Sequence, residues 1–150
     1  MNRPILFRGK SISTGEWIEG DGIHYPKSIN YLGTCWIDGM EDRANDWIQV
    51  DPTTVGQFTG LCDKNGVKIF EGDIVKTHYA NAVKSDFIET VVFHNGRFCA
   101  NSKISETGKW WTSLADGVPH VSFDKSVYME SCKVIGNIHD NPELLEEKSE

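Results

Sequence analysis

Cysteine, histidine and tryptophan are the residue types in this 150-residue chain that could most readily carry chemistry. The cysteines (Cys35, Cys62, Cys99 and Cys132) stand 27, 37 and 33 residues apart. No two form the Cys-x-x-Cys half-site of a structural zinc centre. The histidines (His24, His78, His94, His120 and His139) are equally scattered. A Cys–His nucleophile pair meets in space rather than in sequence, so spacing alone leaves it open. The simpler expectation is four reduced cysteines acting as small, mostly buried hydrophobes. There is no HExxH, Gly-rich phosphate loop or nucleophile elbow, and no pair of acids is nominated as general acid and base. The sequence therefore reads as a non-enzyme with no metal and no cofactor.

Three groups remain as candidate sites. Trp110 and Trp111 are adjacent, and on a strand they point to opposite faces, so one of them is expected to escape the core. With Lys109, Arg97 and His120 they form the candidate binding set, able to stack on a base or anchor a partner protein. Trp17, Trp36 and Trp47 are assigned to the core of the N-terminal part. Gly72 and Asp73 form a turn in which glycine permits the reversal and the carboxylate accepts backbone N–H groups. Gly136, where another backbone could approach closely, and Asn141, an expected N-cap, read as structural turn residues too.

Charge limits the partners. The net charge is −7, with 15 basic and 22 acidic residues. Residues 140–150 hold five acids and one lysine, which makes part of the acidity a tail effect. Basic residues are spaced singly, with no run that would match a polyphosphate. Nucleic acid is thus disfavoured as a partner. Nothing approaches the 20 or so apolar residues of a membrane span, and the start lacks a secretory leader. The expectation is a soluble, cytoplasmic protein.

The composition favours sheet. Val, Ile and Thr total 33 residues, whereas Ala and Leu total 11, so β-branched side chains outweigh the apolar helix formers. A first hairpin is predicted from Ile5–Arg8 and Trp17–Glu19. Short strands follow at Ile23–Tyr25, Ile29–Leu32, Cys35–Ile37 and Trp47–Val50, with an exposed polar loop between Asp38 and Asp46. Asp51-Pro52-Thr53 marks a soft boundary. Asn65-Gly66 and Glu71-Gly72-Asp73 predict tight turns, and Val75, Thr77 and Tyr79 share one strand face. A two-residue type I′ loop at Asn95-Gly96 would oppose His94 to Arg97, Phe93 to Phe98 and Val91 to Ala100, with the phenylalanine face as core. A strand over Tyr128–His139 should place Cys132, Val134, Gly136 and Ile138 on one side. Asn141-Pro142-Glu143 should open a helix of one or two turns.

Several of these blocks resemble the YopX family of phage and prophage proteins. Phe7-Arg8-Gly9-Lys10, followed by Thr14-Gly15-Glu16-Trp17-Ile18-Glu19-Gly20, looks like the family's opening. Val55–Gly66, Ile69–Val75 and Val134–Leu145 look like its central and closing signatures. The resemblance implies a β-rich protein with an SH3-like barrel in its C-terminal part. Joined to the residue reading, it gives a mainly β chain with a small β-rich N-terminal part (1–52), the barrel with a short C-terminal helix (53–145) and an acidic tail (146–150). It also implies a gene carried by a phage or mobile element, and it carries no activity, since the family's function is unknown. Three roles compete. The first is a non-enzymatic phage accessory protein that binds a host or phage protein, with homo-oligomerisation through strand edges or aromatics. The second is a nucleic-acid-binding barrel in which Lys76, Lys84, Arg97, Lys103, Lys109 and Lys133 converge. The third is a small nuclease or toxin-like enzyme, by fold analogy alone.

Overall fold

The computed structural model describes residues 4–27, 33–39, 47–78, 86–102, 110–113, 119–121, 127–129 and 132–146. Every regular element of length is a strand, and the sheets are mostly antiparallel. The chain divides into two compact units, Met1–Phe58 and Thr59–Glu150. Among the described residues no sheet closes into a barrel, and no helix is long and apolar enough to cross a membrane.

In the first unit, β1 (Phe7–Lys10) and β2 (Trp17–Gly20) form the expected hairpin, with Lys10 opposite Trp17 and Arg8 opposite Glu19. The strands β3 (Gly22–His24), β4 (Cys35–Asp38) and β5 (Trp47–Val50) form a separate antiparallel sheet. Its inward side chains Cys35, Ile37 and Val50 are fully buried, with Phe7, Ile18 and Ile23 packed against them. Glycine lets the hairpin lie this close. A Cβ on Gly20 would fall 1.7 Å from the Asp38 carbonyl oxygen, and one on Gly9 would fall 2.9 Å from Val50 Cγ2. After β5, Asp51 accepts from the Thr53 amide and begins a 3-10 turn over Pro52–Thr54. The expected strand at Ile29–Leu32 and most of the loop before Asp46 lie outside the described residues.

The tryptophan assignment is corrected here. Period-2 alternation spends the inward positions of β4 on Cys35 and Ile37, so Trp36 points outward. Trp47 sits opposite Asp38 on that same outer side and is 43% exposed. Trp17 is half-buried on the outward side of the hairpin.

The second unit is built on β6 (Gly56–Asp63), which begins in the first unit. Through the Asn65-Gly66 turn β6 pairs with β7 (Lys68–Phe70). A meander follows: β8 (Asp73–His78), β9 (Asp86–His94), β10 (Arg97–Ser102) and β11 (Trp110–Ser113). Two short strands, β12 (Pro119–Val121) and β13 (Val127–Met129), pair together, and β13 runs parallel to β6. Finally β14 (Cys132–Asn137) returns to β8. Ile69, Val75, Val91 and Cys132 are fully buried at the centre of this unit, with Leu61, Phe98 and Val134 against them.

The β9–β10 register matches the sequence reading: His94 opposes Arg97, Phe93 opposes Phe98 and Val91 opposes Ala100. Asn95 and Gly96 both have positive φ, as a type I′ turn requires. The expected core face holds for Val91 and for Phe98, which packs against the buried cluster, and is corrected only at Phe93. Val91 and Ala100 are buried, but Phe93 is 56% exposed and stacks edge-to-face on Phe98 at 5.1 Å. The hairpin tip extends beyond the side chains that cover its base. Alternation in β14 also breaks. The register slips between Val134 and Gly136, so Gly136 pairs with Ile74 while Val134 pairs with Val75. The bulge moves Gly136 off the side that Cys132 and Val134 share, and Ile138 is exposed. The predicted helix is a single 3-10 turn, Pro142–Leu145, and the Asn141 side chain does not cap it.

Candidate functional site

The turn residues singled out by sequence come together at one corner. Asp73 opposes Asn137 at the end of the β8–β14 pair. Gly72, at φ 84°, donates its N–H to the Val91 carbonyl and accepts from the Ile138 N–H at 2.9 Å. Asp73 is buried and accepts the Phe70 N–H at 2.7 Å. Asn137 Oδ1 accepts from the amides of His139 and Asp140, and its Nδ2 donates to Asp140. What approaches Gly136 is the side chain of Asn141 rather than another backbone. Its Oδ1 accepts weakly from the Asn137 amide instead of capping the following turn.

A second set of acids lies in the core of this unit. Asp63, fully buried, accepts from Asn65, Val67 and Val134 amides at 2.8, 3.0 and 2.9 Å. Glu89 faces inward beside Val91 and accepts the Thr77 hydroxyl, while its neighbour Ile88 is exposed. Burial first, and then Asp63, Glu89 and Asp73, push the Cys132 thiol up to about 12. A thiol held in that form is a poor nucleophile. Cys35 and Cys99 are buried too, Cys62 is half-buried, and none of the four is in a disulfide. Among the described residues no group of three His, Cys, Asp or Glu side chains is placed to hold a metal ion.

The proposed binding set is not gathered at one place along the backbone. Arg97 opens β10 at the hairpin tip and is exposed. Trp110 and Trp111 oppose Ser102 and Asn101 at the other end of that strand, roughly 17 Å away at strand rise. His120 opposes Tyr128 on β12. Lys109 and the side chains of Trp110, Trp111 and His120 lie outside the described residues. Of the six cations, Lys76 and Lys133 are cross-strand neighbours, and Lys76 is paired with Asp86 at 2.8 Å. Lys84 and Lys103 lie outside the described residues.

Sequence reasoning missed a surface in the first unit. The register sets His24, Trp36 and Gln49 in one cross-strand row and Gly22, Asp38 and Trp47 in the next. Both rows stand on the outer side of the β3–β4–β5 sheet. The far edge of the Trp47 indole lies over Gly22, 3.0 Å from where a Cβ would sit, and meets His24 edge-on at 6.0 Å. An aromatic ring is thus spread along a sheet with part of its surface open to solvent. On the β1–β2 hairpin Trp17 is arranged differently: Arg8 stands over its ring at 4.7 Å and Lys10 at 5.9 Å.

The strands define a mainly β protein of several antiparallel sheets, with short turns in which glycine, asparagine and aspartate serve the backbone. The family model described as YopX protein matches residues 6–146, and the chain belongs to that family. No curated protein matches. Among solved structures the chain is similar to protein EF1440 from Enterococcus faecalis, at 26% identity and a TM-score of 0.49, covering 95% of this chain and 98% of that one.

Proposed function

We propose that this chain is a non-enzymatic accessory protein of a phage or prophage that works by binding another protein in the bacterial cytoplasm. The observation behind this reading is how the side chains are used. Buried Asp63 and Asp73 accept backbone amides, and Glu89 accepts Thr77. By contrast, Tyr25, Trp47, Ile88 and Phe93 expose large apolar surface. Exposed aromatics of this kind are what protein interfaces use as anchors. The family likeness supplies the phage setting. The second unit reads as SH3-like, supported by the β8–β9–β10 meander and the bulge in β14, a device that curls sheets.

Nucleic-acid binding has weaker support, because Lys76 is already paired with Asp86 and the net charge opposes it. The deciding experiment is a pull-down from the bacterial host with tagged protein. A single protein retained after nuclease treatment and at high salt is the expected result. Recovery of nucleic acid alone, or of nothing above an unrelated tagged control, would overturn the reading. Homo-oligomerisation is part of the same proposal, and light scattering that shows a strict monomer at high concentration removes it.

A further inference from the structure

The geometry points to the outer face of the β3–β4–β5 sheet as a binding site for a cationic, arginine- or lysine-bearing segment of a partner protein, with the Trp47 indole as its platform. This inference rests on the protein-binding reading above and adds the chemistry of the partner.

Three observations carry it. First, Trp47 is 43% exposed although its ring lies along the sheet over Gly22, so part of the indole surface faces solvent. Second, the charge on the described strands of this sheet is acidic. The three strands contribute Asp38 as their one charged residue of fixed sign, and Asp38 is the cross-strand neighbour of Trp47. Asp21 immediately precedes Gly22 and is exposed. Third, the same unit holds a comparison. Trp17 carries Arg8 and Lys10 over its ring, with Glu19 beside it on β2 opposite Arg8. Trp47 has an acid, Asp38, as its cross-strand neighbour and an aromatic neighbour in His24, but among the described residues no Lys or Arg stands over it.

A guanidinium or ammonium group laid on an indole is drawn to the electron-rich ring face, and a nearby carboxylate completes the site. An acidic peptide would meet Asp38 with like charge. A nucleic acid could stack on the ring but would bring its phosphates to the same carboxylate. Charge complementarity therefore selects the cationic segment over both.

The test uses the full chain and fluorescein-labelled hexapeptides of arginine, lysine and glutamate, together with oligo-dT, in anisotropy titrations at low salt. Polycations bind any acidic protein to some degree, so the informative comparison holds charge constant. Trp47→Leu removes the ring and no charge, and it should weaken hexa-arginine binding about tenfold. Trp47→Phe should stay within about threefold of the parent. Asp38→Asn should weaken binding with the ring intact, and it serves alone if Trp47→Leu fails to fold by circular dichroism. Equal hexa-arginine affinity in the parent and Trp47→Leu would overturn the proposal. So would glutamate peptide or oligo-dT binding that depends on Trp47 as strongly. A host protein captured equally by the parent and by Trp47→Leu would leave the protein-binding reading standing and sink this site.

Discussion

Asn141 Oδ1 lies 2.6 Å from the point that a Cβ on Gly136 would occupy. The bulge in β14 and the turn after it are locked together through this approach, since Asn141 also folds back toward the Asn137 amide. A methyl group at residue 136 must push the amide out. Gly136→Ala is expected to destabilise the protein by about 1–3 kcal/mol, the usual range for overpacking, read from urea unfolding. Adding Asn141→Ala should recover part of the loss, because it removes the colliding group. Strictly additive effects in that double-mutant cycle would mean the contact does not matter.

Asp63 joins two distant parts of the second unit. One carboxylate oxygen accepts both amides of the Asn65–Val67 turn, and the other accepts the Val134 amide, 71 residues away in sequence. Asn in its place keeps the shape but sets a donor against a donor on one side. Asp63→Asn should therefore cost about 1–3 kcal/mol, the penalty of a buried group left unsatisfied. Asp63→Ala, which strands all three amides, should cost more. Chemical denaturation of both variants decides the order, and an Asn variant as stable as the parent would contradict the role.

Much of the fold was legible where one local constraint dictates geometry. Asn95-Gly96 fixes a two-residue loop, and every cross-strand pair above it follows. Covering was harder to read than pairing. Alternation groups Val91 with Phe93 and Ile88 with Val92, but what shields each group comes from distant chain, so Phe93 is open and Glu89 is enclosed. Tryptophan's usual burial points Trp47 to the core, and that expectation too fails on what covers it. Its outward position follows from pairing with Asp38, and its place on the sheet from Gly22 two strands away. A glycine beside an acid before a short apolar piece was the only available signal, and without the register it points nowhere.

The exposure of Phe93 makes a direct prediction about the hairpin. Phe93 and Val91 lie on one side of β9, yet one is 56% exposed and the other fully buried. Phe93→Ser should cost under about 1 kcal/mol, since it gives up little more than the edge-to-face contact with Phe98. Val91→Ala, in the buried cluster, should cost about 2 kcal/mol or more. Thermal unfolding of both variants would reverse this order if the tip were covered and the base were not.

Cys132 sets an alkaline limit on stability. Its thiol is pushed from 9.0 to about 12, chiefly by burial, with Asp63, Glu89 and Asp73 adding to the effect. An unfolded chain gives up this proton near pH 9, whereas the folded chain holds it until about pH 12. The folded state thus binds more protons across that window, and unfolding free energy must fall as pH rises through it. The contribution is fully present below pH 9 and is lost toward pH 12. Cys132→Val has no proton to lose there. The parent's stability advantage over Cys132→Val should therefore be larger at pH 8 than at pH 10.5 in urea titrations. A thiol reagent at pH 8 should label Cys132 only as fast as the protein unfolds. A constant stability difference across that range, or rapid labelling of the folded protein, would show that the thiol is not held in the core as its contacts require.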